Sequence, residues 1–173
     1  QGHSFDVAFR IYDDGVAFRY NLQATQENDS ITKEATAYLI PTGTKRWIQQ
    51  YRKGNYEDFY PLKTIGEKSK ENLWSFPLLV EPQDSLFRLL TEANVIRGHS
   101  GARLYNGDDP DRYEVRAIDK KLAFSGTYTS PWRVVIIGSL ADVVESTLVT
   151  DVSEPSTVSD MSWIIPGSSA WIY

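Results

Sequence analysis

Three pairs of adjacent acidic residues are the first places where this chain could perform acid and base chemistry. They are Asp13-Asp14, Glu57-Asp58 and Asp108-Asp109. Two carboxyl groups can cleave a bond between them when one donates a proton and the other acts as base or nucleophile. Each pair has a simpler explanation, because the first lies in a turn, the second alternates across a strand and the third lies in a loop. We therefore assign none of these residues a catalytic role.

Other catalytic and metal-binding signatures are also missing from the sequence. The acidic loop at residues 106 to 111 lacks the ligand spacing and the closing glutamate of an EF-hand calcium loop. The chain has no cysteine and two histidines, which excludes a thiol nucleophile and nearly excludes a metal site built on imidazole. A serine elbow, a phosphate-binding loop and a zinc-protease helix motif are absent as well. By itself the chain does not look like an enzyme, and we expect it to be inactive in isolation.

Length and charge narrow the class of protein further. With 173 residues, the chain is long enough for one core of ordinary size, so one domain is the default. A net charge of −5, with no cluster of Lys or Arg, argues against a nucleic-acid partner. The sequence has no apolar run near the roughly 18 residues that a membrane span needs, so we predict none.

The sequence FDVAFRIYDDGVAFRY, residues 5 to 20, predicts the element that opens the fold. Two runs of alternating apolar and polar residues meet at Asp13-Asp14-Gly15, which is a strong hairpin signal. We expect Gly15 to take the positive φ of such a turn. Alternation places Phe5, Val7, Phe9 and Ile11 on one face of the first strand. Because this would leave a strong edge strand near the start of the chain, we expect further strands upstream to cover it.

Strands and turns follow at intervals of roughly ten residues, the spacing typical of a β-sandwich. We predict a mainly β fold, an antiparallel β-sandwich with one short helix. That helix is predicted at residues 139 to 147, with Ser139 or Asp142 as its cap and with Leu140, Val143, Val144 and Leu148 on one side. After residue 151 the sequence turns polar, and its end looks cut from something larger.

Several ordered segments resemble one known family over nearly the whole chain. They are IYDDGVAFRY, then NLWSFPLLVEPQDSLFRLLTEANVIRGHSGARL at residues 72 to 104, then SWIIPGSSAWIY at the end. These segments are similar to the N-terminal domain of glycoside hydrolase family 97, which holds bacterial α-glucosidases and α-galactosidases. The resemblance implies a galactose-mutarotase-like supersandwich, truncated here, over residues 1 to 160. It also implies that residues 161 to 173 lead toward an absent catalytic (β/α)8 barrel, with Trp171 on its entry strand.

The same resemblance implies a substrate, a cellular location and a metal. The whole enzyme would hydrolyse terminal α-linked glucose or galactose from an oligosaccharide, in the periplasm or outside the cell. Its catalytic barrel would be the main partner of this domain. In the family, the glutamate of a Thr-Glu-Ala-like triplet helps to bind calcium in the active site, and here that role falls on Glu92. Calcium takes six to eight oxygen ligands, so one carboxylate implies a composite site completed by the barrel. From the sequence alone, an exposed surface glutamate is the competing interpretation.

Three further residues are candidates for contact with substrate: Trp74, His99 and Ser100. A sugar ring could stack on Trp74, while the alternative is a core or interdomain position. The same two alternatives apply to Trp47, Trp132 and Trp163. His99 and Ser100 lie in a loop whose sequence departs from the family pattern, and an exposed loop histidine is the alternative for His99.

Two other classes of function remain open at this stage. A free-standing carbohydrate-binding module would use surface aromatics rather than Glu92, and it predicts a flat row of exposed rings. A purely structural sandwich predicts that Glu92 lies away from any concave surface.

Overall fold

The computed structural model describes residues 4 to 67, 69 to 96 and 99 to 170. The described residues form fourteen strands and two short helices, and all strand pairs are antiparallel. The elements are β1 (Phe5–Tyr12), β2 (Gly15–Gln23), β3 (Asp29–Ile31), β4 (Ala37–Leu39), β5 (Lys45–Trp47), β6 (Leu62–Thr64), β7 (Leu73–Ser75), β8 (Leu78–Gln83), β9 (Leu86–Ala93), β10 (Ala102–Tyr105), β11 (Arg112–Ala117), β12 (Leu122–Phe124), β13 (Thr127–Thr129), β14 (Trp132–Gly138), α1 (Leu140–Glu145) and α2 (Leu148–Asp151).

The strands form one large sheet, one smaller sheet and a two-stranded ribbon. The large sheet has the order β1-β2-β14-β9-β8-β5-β6, and β13 pairs with the end of β2. The smaller sheet has the order β4-β11-β10-β7, and β12 pairs with β3. The main core contains buried side chains from both sheets, among them Leu78, Leu90, Leu104 and Val115. This arrangement confirms the predicted antiparallel β-sandwich.

A second core lies on the other face of the large sheet, under the helices. Its buried members include Ala17, Trp132, Val134, Ile136 and Leu148. Consecutive residues of β14 alternate between the two faces, so Trp132 and Val134 face the helices while Arg133 and Val135 face the smaller sheet. β14 is therefore buried on both sides and fixes the position of Arg133.

The opening hairpin forms as predicted, but for a different reason at Gly15. β1 and β2 pair so that Tyr12 faces Gly15, which leaves Asp13 and Asp14 as the loop. The expected positive φ at Gly15 is wrong, since the residue has ordinary strand geometry. Glycine is required there by close packing: a Cβ atom would lie 2.2 Å from the carbonyl oxygen of Val135.

The predicted apolar face of β1 stays open to solvent in the described structure. Phe9 and Ile11 are 63% and 82% exposed. The opposite, mixed face carries Ala8, Tyr12 and Ala17, and it packs against the second core. The mixed face of the hairpin is thus the one that packs against the protein, although alternation alone favoured the apolar face.

Two helices form where one was predicted. α1 begins after Ser139, whose side chain accepts a hydrogen bond from the Asp142 N–H, while the Asp142 carboxylate accepts one from the Ser139 N–H. Ser146 then takes extended geometry, and its hydroxyl donates to Asp14 and accepts from the Leu148 N–H. This break separates α1 from α2 and corrects the prediction of a single helix over residues 139 to 147. Leu148 is buried, whereas Leu140 and Val144 are exposed.

Candidate functional site

Glu92 and Arg133 occupy facing positions on the neighbouring strands β9 and β14. The register pairs Arg133 with Glu92 directly, so both side chains leave the sheet on the same face. Val135 lies on the same face of β14 and packs against the main core, which contains side chains of both sheets. This face is therefore turned toward the smaller sheet. The sheet pairing therefore brings together two opposite charges inside the sandwich.

The guanidinium of Arg133 binds two carboxylates at once. Its Nη1 donates to Glu92 Oε2 at 2.8 Å. Its Nε donates to Glu34 Oε1 at 2.8 Å, and Nη2 donates to the other oxygen of Glu34. Glu34 belongs to the connection between β3 and β4, so three separate segments meet at this cation. We call Glu34, Arg133 and Glu92 the buried ion network.

The second oxygen of Glu92 is also held. Its Oε1 accepts a hydrogen bond from the backbone N–H of Ala102 at 3.0 Å. The side chain of Arg133 is 3% exposed, and those of Glu34 and Glu92 are 14% exposed. The competing interpretation of Glu92 as an exposed surface residue is therefore wrong for this structure.

Burial and charge shift the proton affinities of this network. Burial raises the pKa of Glu92, although the Ala102 N–H and the charge of Arg133 act against that shift. Burial by itself would lower the pKa of Arg133, but hydrogen bonds and charge from Glu34, followed by the charge of Glu92, raise it. Nearby, burial raises the pKa of Tyr38 far above its ordinary value. The shifts of Glu92 and Tyr38 reflect burial, and that of Arg133 reflects its two carboxylate partners.

A cleft of about 620 Å³ lies next to the network, between the two sheets. Its walls include Tyr20, Arg103, Val115, Tyr128, Ser130 and Arg133. Glu34 and Ser100 also line it. The network therefore borders a concave surface through Glu34 and Arg133, while Glu92 lies behind them on the neighbouring strand.

His99 and Ser100 lie in the loop that leads into β10, close to Glu92. Ser100 is buried; its hydroxyl accepts a hydrogen bond from the Asp119 N–H and donates to the Gly101 carbonyl. His99 is half-buried, with its ring at 5.8 Å from that of Tyr128 and Nδ1 at 3.2 Å from the Asn94 carbonyl oxygen. Arg97 and Gly98 of the same loop lie outside the described residues. The structure thus brings these two candidates near Glu92, on the segment that supplies the Ala102 N–H.

Trp74 is not part of this grouping. It is 4% exposed and belongs to the main core. Its Nε1 donates to Asn106 Oδ1 at 2.6 Å, and the guanidinium of Arg46 lies 4.5 Å from the ring centre. This position agrees with the core alternative, and the ring offers no open face for a sugar.

The other tryptophans among the described residues do not form a row of exposed rings. Trp132 is buried in the second core, where the guanidinium of Arg19 lies 4.4 Å from its ring. Trp47 packs against Phe87, and Trp163 is 71% exposed in the C-terminal segment. Trp171, predicted on the entry strand of a barrel, lies outside the described residues. These positions do not favour a sugar-binding module that works through surface tryptophans.

Glu34 and Arg133 are the site residues that the sequence analysis missed. They are 99 residues apart, and Arg133 and Glu92 are 41 residues apart. The available signal was the position of Arg133 inside the apolar run PWRVVIIG, because a buried arginine requires an acidic partner. The sequence does not indicate which acids supply it.

Glu92 fits calcium as one ligand of a larger set. Calcium prefers carboxylate oxygens, but in the part of the chain that the structure describes no three acidic or histidine side chains could together hold a metal ion. Each oxygen of Glu92 accepts one hydrogen bond and has a second lone pair for a metal. Hydrogen bonds from neighbouring groups commonly orient carboxylates that bind metals. The chain thus presents one oriented carboxylate, and the other ligands of a calcium ion would have to come from elsewhere.

Comparison with known proteins places the chain in a family. The family model described as Glycosyl-hydrolase 97 N-terminal matches residues 1 to 155. The chain is 32% identical to a probable retaining alpha-galactosidase of Streptomyces bingchenggensis and 24% identical to a retaining alpha-galactosidase of Bacteroides thetaiotaomicron. These alignments cover 99% and 96% of this chain but 26% and 30% of the relatives.

Solved structures agree with this placement. A family 97 enzyme from Pseudoalteromonas sp. strain K8, in complex with acarbose, matches 94% of this chain and 25% of its own, with a TM-score of 0.83 and 26% identity. A β-arabinopyranosidase matches 89% of this chain and 28% of its own, with a TM-score of 0.79 and 25% identity. The fold is thus that of a β-sandwich domain from a glycoside hydrolase. The chain belongs to the N-terminal domain family of glycoside hydrolase family 97.

Proposed function

We propose that this chain is the non-catalytic N-terminal domain of an α-glycosidase whose reacting groups lie in the rest of the polypeptide. The observation that carries the proposal is the family match over residues 1 to 155, together with relatives of which this chain spans about a quarter to a third. The site supports it too, because Glu34 and Glu92 are both engaged by one guanidinium. Two carboxylates held in this way are not free to act as acid and base across a glycosidic bond.

The proposed substrate is an oligosaccharide with a terminal α-linked galactose. Both relatives at the sequence level are named retaining alpha-galactosidases. An α-glucoside is the second candidate, because solved family 97 enzymes are described in complex with acarbose and with panose. The proposed place of action is the periplasm or the cell exterior. Cell fractionation followed by immunoblotting tests the location, and recovery in the cytoplasm would refute it.

The end of the sandwich around Glu92 is the proposed contact with the catalytic part of the protein. Val95 and Ile96, just after β9, are 44% and 43% exposed. Ile118 is also 43% exposed, and its backbone N–H donates to the Gly101 carbonyl in the loop next to Glu92. Apolar side chains exposed around a buried charge favour a surface that packs against another protein surface.

Within that contact, we propose that Glu92 supplies one carboxylate to a calcium ion in the active site. A bound calcium ion would polarise the leaving oxygen or orient the general acid. The chain's own contribution is to present Glu92 in a fixed orientation, held by Arg133 and the Ala102 N–H. As the described residues supply one such ligand, the isolated chain is expected to bind calcium far more weakly than the full-length protein.

The experiment compares three forms of the full-length protein on nitrophenyl α-galactoside and α-glucoside, with calcium and after chelation. The forms are the wild type, Glu92→Gln and the control Glu114→Gln. Glu114 is a suitable control because it is also a strand glutamate held by two arginines, Arg112 and Arg116. We expect the wild type and the control to cleave the galactoside faster and to lose activity on chelation, while Glu92→Gln is folded and weakly active. If the wild type cleaves neither substrate, the proposed activity is wrong. Full activity of Glu92→Gln would remove the calcium role.

A further inference from the structure

We propose that Arg133 and Glu34 are positioning residues for Glu92: the guanidinium fixes the carboxylate, and Glu34 balances the guanidinium so that Glu92 can still attract a cation. This inference rests on the proposed function, because it concerns the same metal ligand. It assigns a role to two buried charges that the proposed function does not use.

Hydrogen-bond geometry links Glu34 to the orientation of Glu92. Arg133 is joined to Glu34 by two parallel bonds, from Nε and from Nη2, and such a fork restricts the plane of the guanidinium. The remaining nitrogen, Nη1, is thereby aimed at Glu92 Oε2. With Oε1 held by the Ala102 N–H, the Glu92 carboxylate is fixed at both oxygens. Glu34 therefore orients Glu92 through Arg133, without contact between the two acids being required.

The charge of Glu34 offsets that of Arg133. A lone arginine at 2.8 Å from Glu92 would cancel most of the attraction that this carboxylate exerts on a divalent cation. Two carboxylates around one guanidinium leave the network with a net charge of about −1 when all three groups are ionised. Because all three side chains are largely buried, water screens these charges weakly. Glu34 thus allows Glu92 to be both tightly oriented and still attractive to a metal ion.

Stability alone does not explain this arrangement of buried charges well. Buried ion pairs often contribute little net stability compared with apolar residues of similar size. The surroundings would suit apolar residues. On the same face of the sheet, Leu90 belongs to the main core and Val135 packs against it. A charged network at the end of this apolar face, beside the exposed side chains of Val95 and Ile96, is better explained by a ligand that needs a fixed carboxylate.

The test measures calcium affinity in the full-length protein after removal of bound metal, by titration calorimetry and by the calcium-induced rise in melting temperature. The main variant is Glu34→Gln, which removes the balancing charge and does not touch Glu92. Arg133→Lys keeps the charge and loses the fork. Glu114→Gln again serves as the control, because it removes a carboxylate from another pair of arginines.

We expect Glu34→Gln to weaken calcium binding about tenfold or more, the size of effect typical of groups that orient metal ligands. Activity should return when the calcium concentration is raised accordingly. Arg133→Lys should also weaken binding, whereas the control should bind calcium like the wild type.

A purely structural network predicts a different result. Glu34→Gln and Arg133→Lys would then lower the melting temperature equally with and without calcium, and calcium affinity would not change; that result would overturn the inference. Failure of the proposed function is separable, because it would appear as unchanged calcium binding in Glu92→Gln itself. If Arg133→Lys does not fold, the calcium affinity of Glu34→Gln alone decides between the positioning role and the purely structural one.

Discussion

At the residue scale, the environment of a side chain decides between interpretations that its type leaves open. Trp74 and Trp163 are the same residue type, yet one is 4% exposed in the core and the other 71% exposed. Glu92 and Glu114 both lie on strands and bind arginine, but Glu92 is the more buried of the two. The surroundings of Glu92 therefore support a functional role that its residue type alone did not indicate.

Removing the ring of Trp74 should destabilise the domain. We expect Trp74→Ala to cost about 3 to 5 kcal/mol in the free energy of unfolding, because a large buried side chain is lost. The matched control Trp163→Ala should change it by less than about 0.5 kcal/mol. Urea denaturation measures both. A Trp74→Ala variant as stable as the wild type would show that the ring is not a core residue.

Gly15 provides a second test at this scale. Gly15→Ala would place a Cβ atom 2.2 Å from the Val135 carbonyl oxygen and 2.9 Å from Leu148. We expect a loss of about 1 to 3 kcal/mol, the usual cost of overpacking. Gly167→Ala is the control, because a Cβ atom there meets nothing within 4 Å. Equal melting temperatures for Gly15→Ala and the wild type would contradict the proposed close packing of the hairpin on β14.

At the element scale, local signals predicted where elements begin better than what they contact. The hairpin at residues 5 to 20 and the start of the helix at Ser139 were predictable, since turn and capping residues act over a few positions. The break at Ser146 was not, because its hydroxyl binds Asp14, which is 132 residues away in the chain. Likewise, alternation identified the apolar face of β1 but did not indicate that the opposite, mixed face packs on the helices.

The cap of α1 predicts a pH dependence. Hydrogen bonds from Ser139 lower the pKa of Asp142, so the charged form is favoured in the folded state. A lowered folded pKa contributes stability that is present above the unfolded value near 3.9 and is lost as the pH falls through the folded value. We expect Asp142→Asn to be less stable than the wild type at neutral pH, and the difference to vanish in acid. Thermal melts between pH 2 and 7 measure it, with Asp108→Asn on an exposed loop as control. A difference that is constant with pH would rule out the charge of Asp142 as its cause.

At the scale of the whole molecule, two sheets and the loops at one end bring distant acids and a buried arginine together. The sequence predicted the sandwich and the family correctly, because alternation and ordered motifs extend over long segments. It could not predict the buried ion network, since strand register and sheet order decide which of many acids meets Arg133. In the described residues no helix has the length and apolar character of a membrane span.

The proposed role of this domain depends most on whether Glu92 is a metal ligand. Calorimetric titration of calcium into the metal-free, full-length protein tests this directly, with the wild type, Glu92→Gln and Glu114→Gln compared under the same conditions. We predict that the wild type and Glu114→Gln bind calcium alike, and that Glu92→Gln binds it at least about tenfold more weakly while remaining folded. Equal calcium binding by the wild type and Glu92→Gln would contradict the account and leave Glu92 as the structural partner of Arg133.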